Sequence, residues 1–257
     1  MAIRFGPAGL GSVKDAVEKL EEYYELGLRA CEIAFTYGIY IKHEKDAEEI
    51  ANAAKKFDIR LSIHAPYWIN LNSHEKIKIE QSKKRILDCC KIGEVLGAEV
   101  VVFHPGYYGK MNPEETYKNI KNAILDMEKE IKKNKWQIKI APETMGKVNV
   151  FGSFEQIEKL VKETNCRFCI DFAHVLAREK KVDYNLIKEK FGKYEKWHCH
   201  FSGIVYGEKG EKHHVKTGKD NWKKLLENLP KNKDITIINE SPDMINDSVE
   251  GLKLWKG

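Results

Sequence analysis

Short apolar runs rich in β-branched residues alternate with longer stretches in which apolar positions recur every three to four residues. The first pattern predicts buried strands and the second amphipathic helices, so the chain reads as repeated βα units around a parallel sheet. Eight runs fit: "AIRFG" around Ile3, "ACEIAF" from Ala30, "RLSIHA" from Arg60, "AEVVVFHP" from Ala98, "IKIAPE" from Ile138, "RFCIDF" from Arg167, "KWHCHFS" from Lys196 and "DITIINE" from Asp234. The helices between them carry end signals. Ser12 precedes "VKDAVEKLEEYYELG" with Gly27 closing it, Asn112-Pro113 opens a segment running to Asn134, and "SFEQ" from Ser153 has the form of a capping box. Ile79, Ile86, Leu87, Cys90 and Val95 share one stripe of the stretch 75–97, which makes them core candidates. No linker or low-complexity tract interrupts the alternation, and eight βα units in this length imply an α/β fold closed as a (β/α)8 TIM barrel, one domain over residues 1–257.

Composition narrows the picture modestly. A chain of 257 residues with 42% hydrophobic content can bury one sizeable core. Lys and Arg number 44 against 39 Asp and Glu, a formal charge of +5 that tolerates a polyanionic partner without announcing one. Six cysteines scatter through apparent helices and strands, unlike a secreted disulfide framework, and are expected to be reduced. The one C-x-x-C, Cys166 to Cys169, lies in an apolar strand with no second pair and reads as structural. No apolar run approaches the roughly 20 residues a membrane span needs, and the start lacks a secretory pattern, so a soluble cytoplasmic protein is expected.

The chemistry collects at the ends of the strands. Strand three ends at His64, four at His104, five at Glu143, six at Asp171, seven at His200 and eight at Glu240. That is the rim on which barrels of this kind build active sites. Each follows a strongly apolar run, and burying unpaired polar groups there is costly unless cations fill the space between them. The mixed His, Asp and Glu set suits Zn²⁺, with Mn²⁺ or Fe²⁺ as alternatives, where an all-oxygen set would indicate Mg²⁺ or Ca²⁺. His174 follows Asp171 by three residues, so one helical turn brings both to the same region. In the stretch "GEKGEKHHVKTG", an extended backbone points Glu211 and His213 the same way and His214 the other, which adds a possible third set with His174. His198, two residues before His200, reads as a supporting or core residue.

In order, "IHAPYWINL", "VVFHPG", "APETMG", "CIDFAH", "HCHFS", "EKHH" and "NESPD" resemble the metal-binding segments of the endonuclease IV family, trinuclear-zinc barrels that cleave DNA at abasic sites. The resemblance spans residues 60–243. It implies that His64 and His104 bind one zinc, that Asp171, His200 and Glu240 bind a second, and that Glu143 bridges the two. The third would take His174, Glu211 and His213, and Tyr67 would approach the DNA minor groove. Three features depart from the family: Glu211 stands where Asp is usual, "HCHFSG" replaces a His-x-Asn-Asp pattern, and the loop "TYGIYIKHEKD" lacks an Arg/Gln-bearing finger.

The resemblance implies a zinc-dependent endonuclease of base-excision repair. It would hydrolyse the phosphodiester 5′ to an abasic site in double-stranded DNA, as a monomer with up to three Zn²⁺. Tyr67, Trp68, Tyr107 and Tyr108 near the barrel mouth either stack beside the gap left by the missing base or pack within their loops. Two other readings stay open. A divalent-metal sugar isomerase or epimerase would use one or two ions and lean on oxygen ligands and a lysine. A catalytically silent lesion binder would retain the fold and bind without cutting.

Overall fold

In the computed structural model, which describes residues 3–257, the eight expected strands are all present. They are β1 (Ile3–Pro7), β2 (Ala30–Ala34), β3 (Arg60–His64), β4 (Val100–Phe103), β5 (Lys139–Pro142), β6 (Cys169–Asp171), β7 (Lys196–Phe201) and β10 (Asp234–Asn239). Two parallel sheets, β1-β10-β7-β6 and β2-β3-β4-β5, form the two halves of one barrel. Their seams are stitched by backbone. Arg29 donates its N–H to the Phe5 carbonyl at 3.0 Å and Arg167 to Ile140 at 2.9 Å, and Glu143 bridges to Cys169 in parallel. At the first seam a Cβ on Gly6 would lie 1.8 Å from the Ala30 carbonyl oxygen, so closure there depends on the missing side chain.

Helices α1 (Ala16–Glu25), α2 (Glu44–Lys56), α3 (Lys76–Leu96), α4 (Pro113–Lys133), α5 (Phe154–Thr164), α6 (Phe172–Glu179), α7 (Tyr184–Phe191), α8 (Lys219–Asn228) and α9 (Met244–Lys256) surround the strands. Several ends follow the sequence signals. Asn112 accepts from the Glu115 N–H at 2.8 Å, the capping box at Ser153 and Gln156 is complete, and Gly97 closes α3 in the left-handed region. Ser12 differs: a 3-10 turn (Val13–Asp15) precedes α1, and its hydroxyl donates to the Asp15 carboxylate instead of capping backbone. On α3, Ile86, Cys89, Cys90 and Leu96 are buried while Leu87 and Val95 are partly so.

The two ends of the barrel are built differently. At the amino ends of the strands, Arg60 clamps Asp234 through two 2.9 Å hydrogen bonds and reaches Glu99 at 3.2 Å, and Lys196 meets the same Glu99. At the carboxyl ends, residues 203–215 are not an open loop. They form an antiparallel hairpin, β8 (Gly203–Gly207) and β9 (Gly210–Val215), packed over α6. Among the described residues all six cysteines are free and buried, and no helix is long and apolar enough to cross a membrane.

Candidate metal centre

Glu143 is the hub. It follows β5, where its N–H donates to the Phe103 carbonyl at 3.1 Å, and its side chain is buried at the barrel mouth. His64 Nε2 and His104 Nε2 each lie 3.2 Å from Glu143 Oε2. His174 Nδ1 lies 3.0 Å and His200 Nδ1 3.5 Å from Oε1. Glu240, placed by its N–H donating to Phe201 at the end of β7, brings Oε1 to 3.3 Å from His200 Nδ1. Asp171 spends one oxygen as the N-cap of α6, accepting from the His174 N–H at 2.8 Å, which leaves the other buried 3.4 Å from His174 Nδ1.

Donor atoms gather in four sets, each within 4.8 Å. Three are built from strand-end and hairpin residues: His64, His104 and Glu143; Glu143, Asp171, His200 and Glu240; and Asp171, His174 and His214; the fourth joins Cys169, His198 and His200. Glu211 Oε2 adds to the third at 3.5 Å from His174 Nε2. Glu143 Oε1, Asp171 Oδ2 and His200 Nδ1 are buried with no hydrogen-bond partner. Orphaned acceptors of this kind are expensive unless a cation satisfies them.

The imidazoles support the same conclusion. His64 Nδ1–H donates to the Ala65 carbonyl at 2.8 Å and His174 Nδ1–H to the Thr144 carbonyl at 2.9 Å. Each ring therefore turns an Nε2 lone pair towards a carboxylate, an arrangement that needs a proton or a metal ion between the two. Burial pulls the His64 pKa down, but the hydrogen bond and charge of Glu143 outweigh it and hold it at about 9. Burial likewise favours a neutral Glu143, and the surrounding histidines overcome that to keep it well below the usual carboxylate range. Burial raises Glu240. Protons and metal ions would thus compete for the same lone pairs, and the mixed nitrogen and oxygen donors fit a zinc-like ion.

The pocket above these groups encloses about 230 Å³ and is lined by His64, Tyr67, His104, His174, Glu211, His214 and Glu240, with Tyr107 and Lys147 at its wall. A Cβ on Gly146 would fall 2.7 Å from Glu211 Cβ and 3.0 Å from His174, so a glycine is needed for the hairpin to close against α6. Tyr67 is 54% exposed and its ring stacks on His104 at 5.7 Å. The other aromatics divide. Tyr107 lines the pocket, Tyr108 packs on Phe151 and hydrogen-bonds Gln156, and Trp68 turns to Tyr37.

The structure gathers eight of the nine expected metal-ligand residues into one cluster at the barrel mouth, five of them lining this pocket, and sets His213 apart. His213 is exposed, and His214 takes the inward position, 5.2 Å ring to ring from His174. A β-bulge is the cause. Tyr206 pairs with Glu211 and Val205 with His213, leaving Lys212 as an extra residue, so Glu211 and His214 come to share a face despite being three apart. Simple alternation from Glu211 gives His213, and nothing local in the sequence announces the bulge.

Sequence reasoning also missed Glu32. Although mid-strand on β2, it is fully buried, 3.0 Å from His198 Nε2 and 2.9 Å from His200 Nε2. Burial disfavours its charge, yet His200 and His198 hold its pKa well below normal. The one available signal was an acidic residue inside the apolar run "ACEIAF". His198 is the supporting residue the spacing suggested.

A family model described as xylose isomerase-like TIM barrel matches residues 20–256. An uncharacterised protein of Methanocaldococcus jannaschii is 36% identical, covering 98% of this chain and 96% of its own. An apurinic-apyrimidinic endonuclease of Caenorhabditis elegans is 33% identical over 61% of this chain and 43% of its own length, so the chain spans less than half of that relative. Among solved structures, endonuclease IV from Thermus thermophilus superimposes with a TM-score of 0.75 at 21% identity, covering 98% of this chain and 97% of that one. A D-tagatose 3-epimerase-like protein gives a TM-score of 0.74 at 22% identity, covering 99% and 96%. These last two likenesses concern the fold alone.

Proposed function

Because the chain belongs to the xylose isomerase-like TIM-barrel family, we propose that its histidine-rich mouth is a metal-dependent hydrolase centre of the endonuclease IV type, cleaving the phosphodiester 5′ to an abasic site in double-stranded DNA. The observation that carries the reading is the set of three adjoining donor clusters, each with a histidine, around the orphaned atoms of Glu143, Asp171 and His200. The apurinic-apyrimidinic endonuclease among the relatives points to the same substrate class.

His64, His104 and Glu143 would hold one ion, and Glu143, Asp171, His200 and Glu240 a second. His174, Glu211 and His214 would hold a third, with His214 in the place expected for His213. When bound, the ions supply Lewis acidity and an activated water for in-line displacement at phosphorus. The chain's own groups do the rest. Glu143 ties the first two clusters through its two oxygens, and the backbone carbonyls of Ala65 and Thr144 fix the rings of His64 and His174. Tyr67 and Tyr107 offer apolar faces beside the pocket where an abasic sugar would sit, and Lys147 offers a cation for a flanking phosphate. The pocket is too small for a duplex, so the reading requires the sugar-phosphate at the lesion to enter alone. In this reading the protein works as a cytoplasmic monomer.

The enclosed pocket and its lysine are also what a sugar epimerase of this barrel class would offer. Metal analysis and a nicking assay separate the two. The nuclease reading expects about three zinc ions per chain and a 3′-hydroxyl nick on an abasic duplex, abolished by prolonged chelation and restored by Zn²⁺. Binding of the lesion without any nick, or one to two Mg²⁺ or Mn²⁺ with sugar turnover, would overturn it.

A further inference from the structure

The histidine carrying the middle donor cluster, His200, has a second nitrogen that the metal reading does not use. His200 Nδ1 faces Glu240 and Glu143, while Nε2 points down the barrel to Glu32 Oε1, 2.9 Å away. The other Glu32 oxygen is already committed: it accepts the Ser62 hydroxyl at 2.8 Å and the His198 Nε2–H at 3.0 Å. Two donors on one oxygen hold the carboxylate still. Its free oxygen and His200 Nε2 are both buried without a well-aligned hydrogen bond, yet lie 2.9 Å apart, within donor–acceptor distance; the Cys169 thiol is the other polar group beside the ring.

We propose that Glu32 is a positioning residue that takes the Nε2–H of His200 and thereby fixes the tautomer whose Nδ1 lone pair faces Glu143, Asp171 and Glu240. The inference rests on the metal reading of that cluster. A proton on Nδ1 would make His200 a donor to those carboxylates and remove it as a ligand, and a carboxylate behind the ring forbids this by needing the proton on Nε2. The geometry also explains why an acidic residue sits in an apolar strand: an apolar residue at that position leaves two histidines and a serine without this partner.

Glu32→Gln tests the idea because the side chain keeps its shape while losing one acceptor. Its amide oxygen can stay with Ser62 and His198, which turns the NH2 towards His200 Nε2. That nitrogen must then accept, and the ring proton moves to Nδ1. Zinc retention against a competing chelator is expected to fall about 10- to 100-fold for one ion. Glu32→Asp should recover part of the loss, and the metal-free E32Q protein should unfold at the wild-type temperature or above. Nitrogen-15 spectra of the zinc-loaded wild type, which need no variant to fold, should show His200 ligated through Nδ1 with a protected Nε2–H. Ligation through Nε2, or zinc retention in E32Q within twofold of wild type, overturns the proposal and leaves the function untouched. A wild type that binds no zinc overturns both.

Discussion

A histidine serves as a metal ligand when one ring nitrogen is held and the other is left free. His64 and His174 are held by backbone carbonyls, and His214 Nδ1 pairs with Ser202 Oγ at 2.6 Å. His213 is exposed. His214→Ala should therefore release one of the bound ions, weakening its retention by at least the ~10- to 100-fold that losing a ligand's support costs. His213→Ala should retain all of them. Equal losses in a metal-content assay would return the ligand role to His213. At this scale the sequence was highly legible where candidate ligands end strands, because His64, His104, Glu143, Asp171, His200 and Glu240 take their direction from β structure that apolar runs reveal. Glu32 escaped because its partners come from strands 30 and 166 residues away in the chain.

At the scale of elements, helix ends were readable when a side chain caps its own helix, since both partners are local. Ser153 and Gln156 satisfy each other's backbone N–H groups at the start of α5, which follows the strand bearing Glu143. Ser153→Ala should destabilise the protein by about 1 kcal/mol, a fall of roughly 2–4 °C in Tm for a chain of this size. Metal content should be unchanged, because α5 carries no ligand. A Tm equal to wild type would mean the cap contributes nothing. The hairpin of β8 and β9 was not readable in the same way. Its bulge at Lys212 is set by how the strands dock on α6 and by the clearance Gly146 leaves, neither of which shows in "GEKGEKHHVKTG".

The whole molecule separates stability from chemistry along the barrel axis. The amino-terminal end is tied by Arg60, Asp234, Glu99 and Lys196. Burial disfavours the Asp234 charge, but the Arg60 hydrogen bonds prevail and lower its pKa below the ordinary 3.8. A carboxylate lowered by folding adds stability above its unfolded pKa, and that stability is lost as pH falls through the folded value. Asp234→Asn should thus unfold more easily than wild type at pH 7, with the difference shrinking once pH drops below about 4. Unfolding curves that differ equally at pH 7 and pH 3 would count against the clamp.

By itself the sequence determined the eight strands, several of the helix ends and which candidate ligand types arrive at the rim, because periodicity and strand ends are properties of contiguous residues. Tertiary structure alone decided that Glu143 is shared between clusters, that Glu32 stands behind His200, and that His214 faces inward in place of His213. Those depend on which distant strands meet and on one bulge in their register.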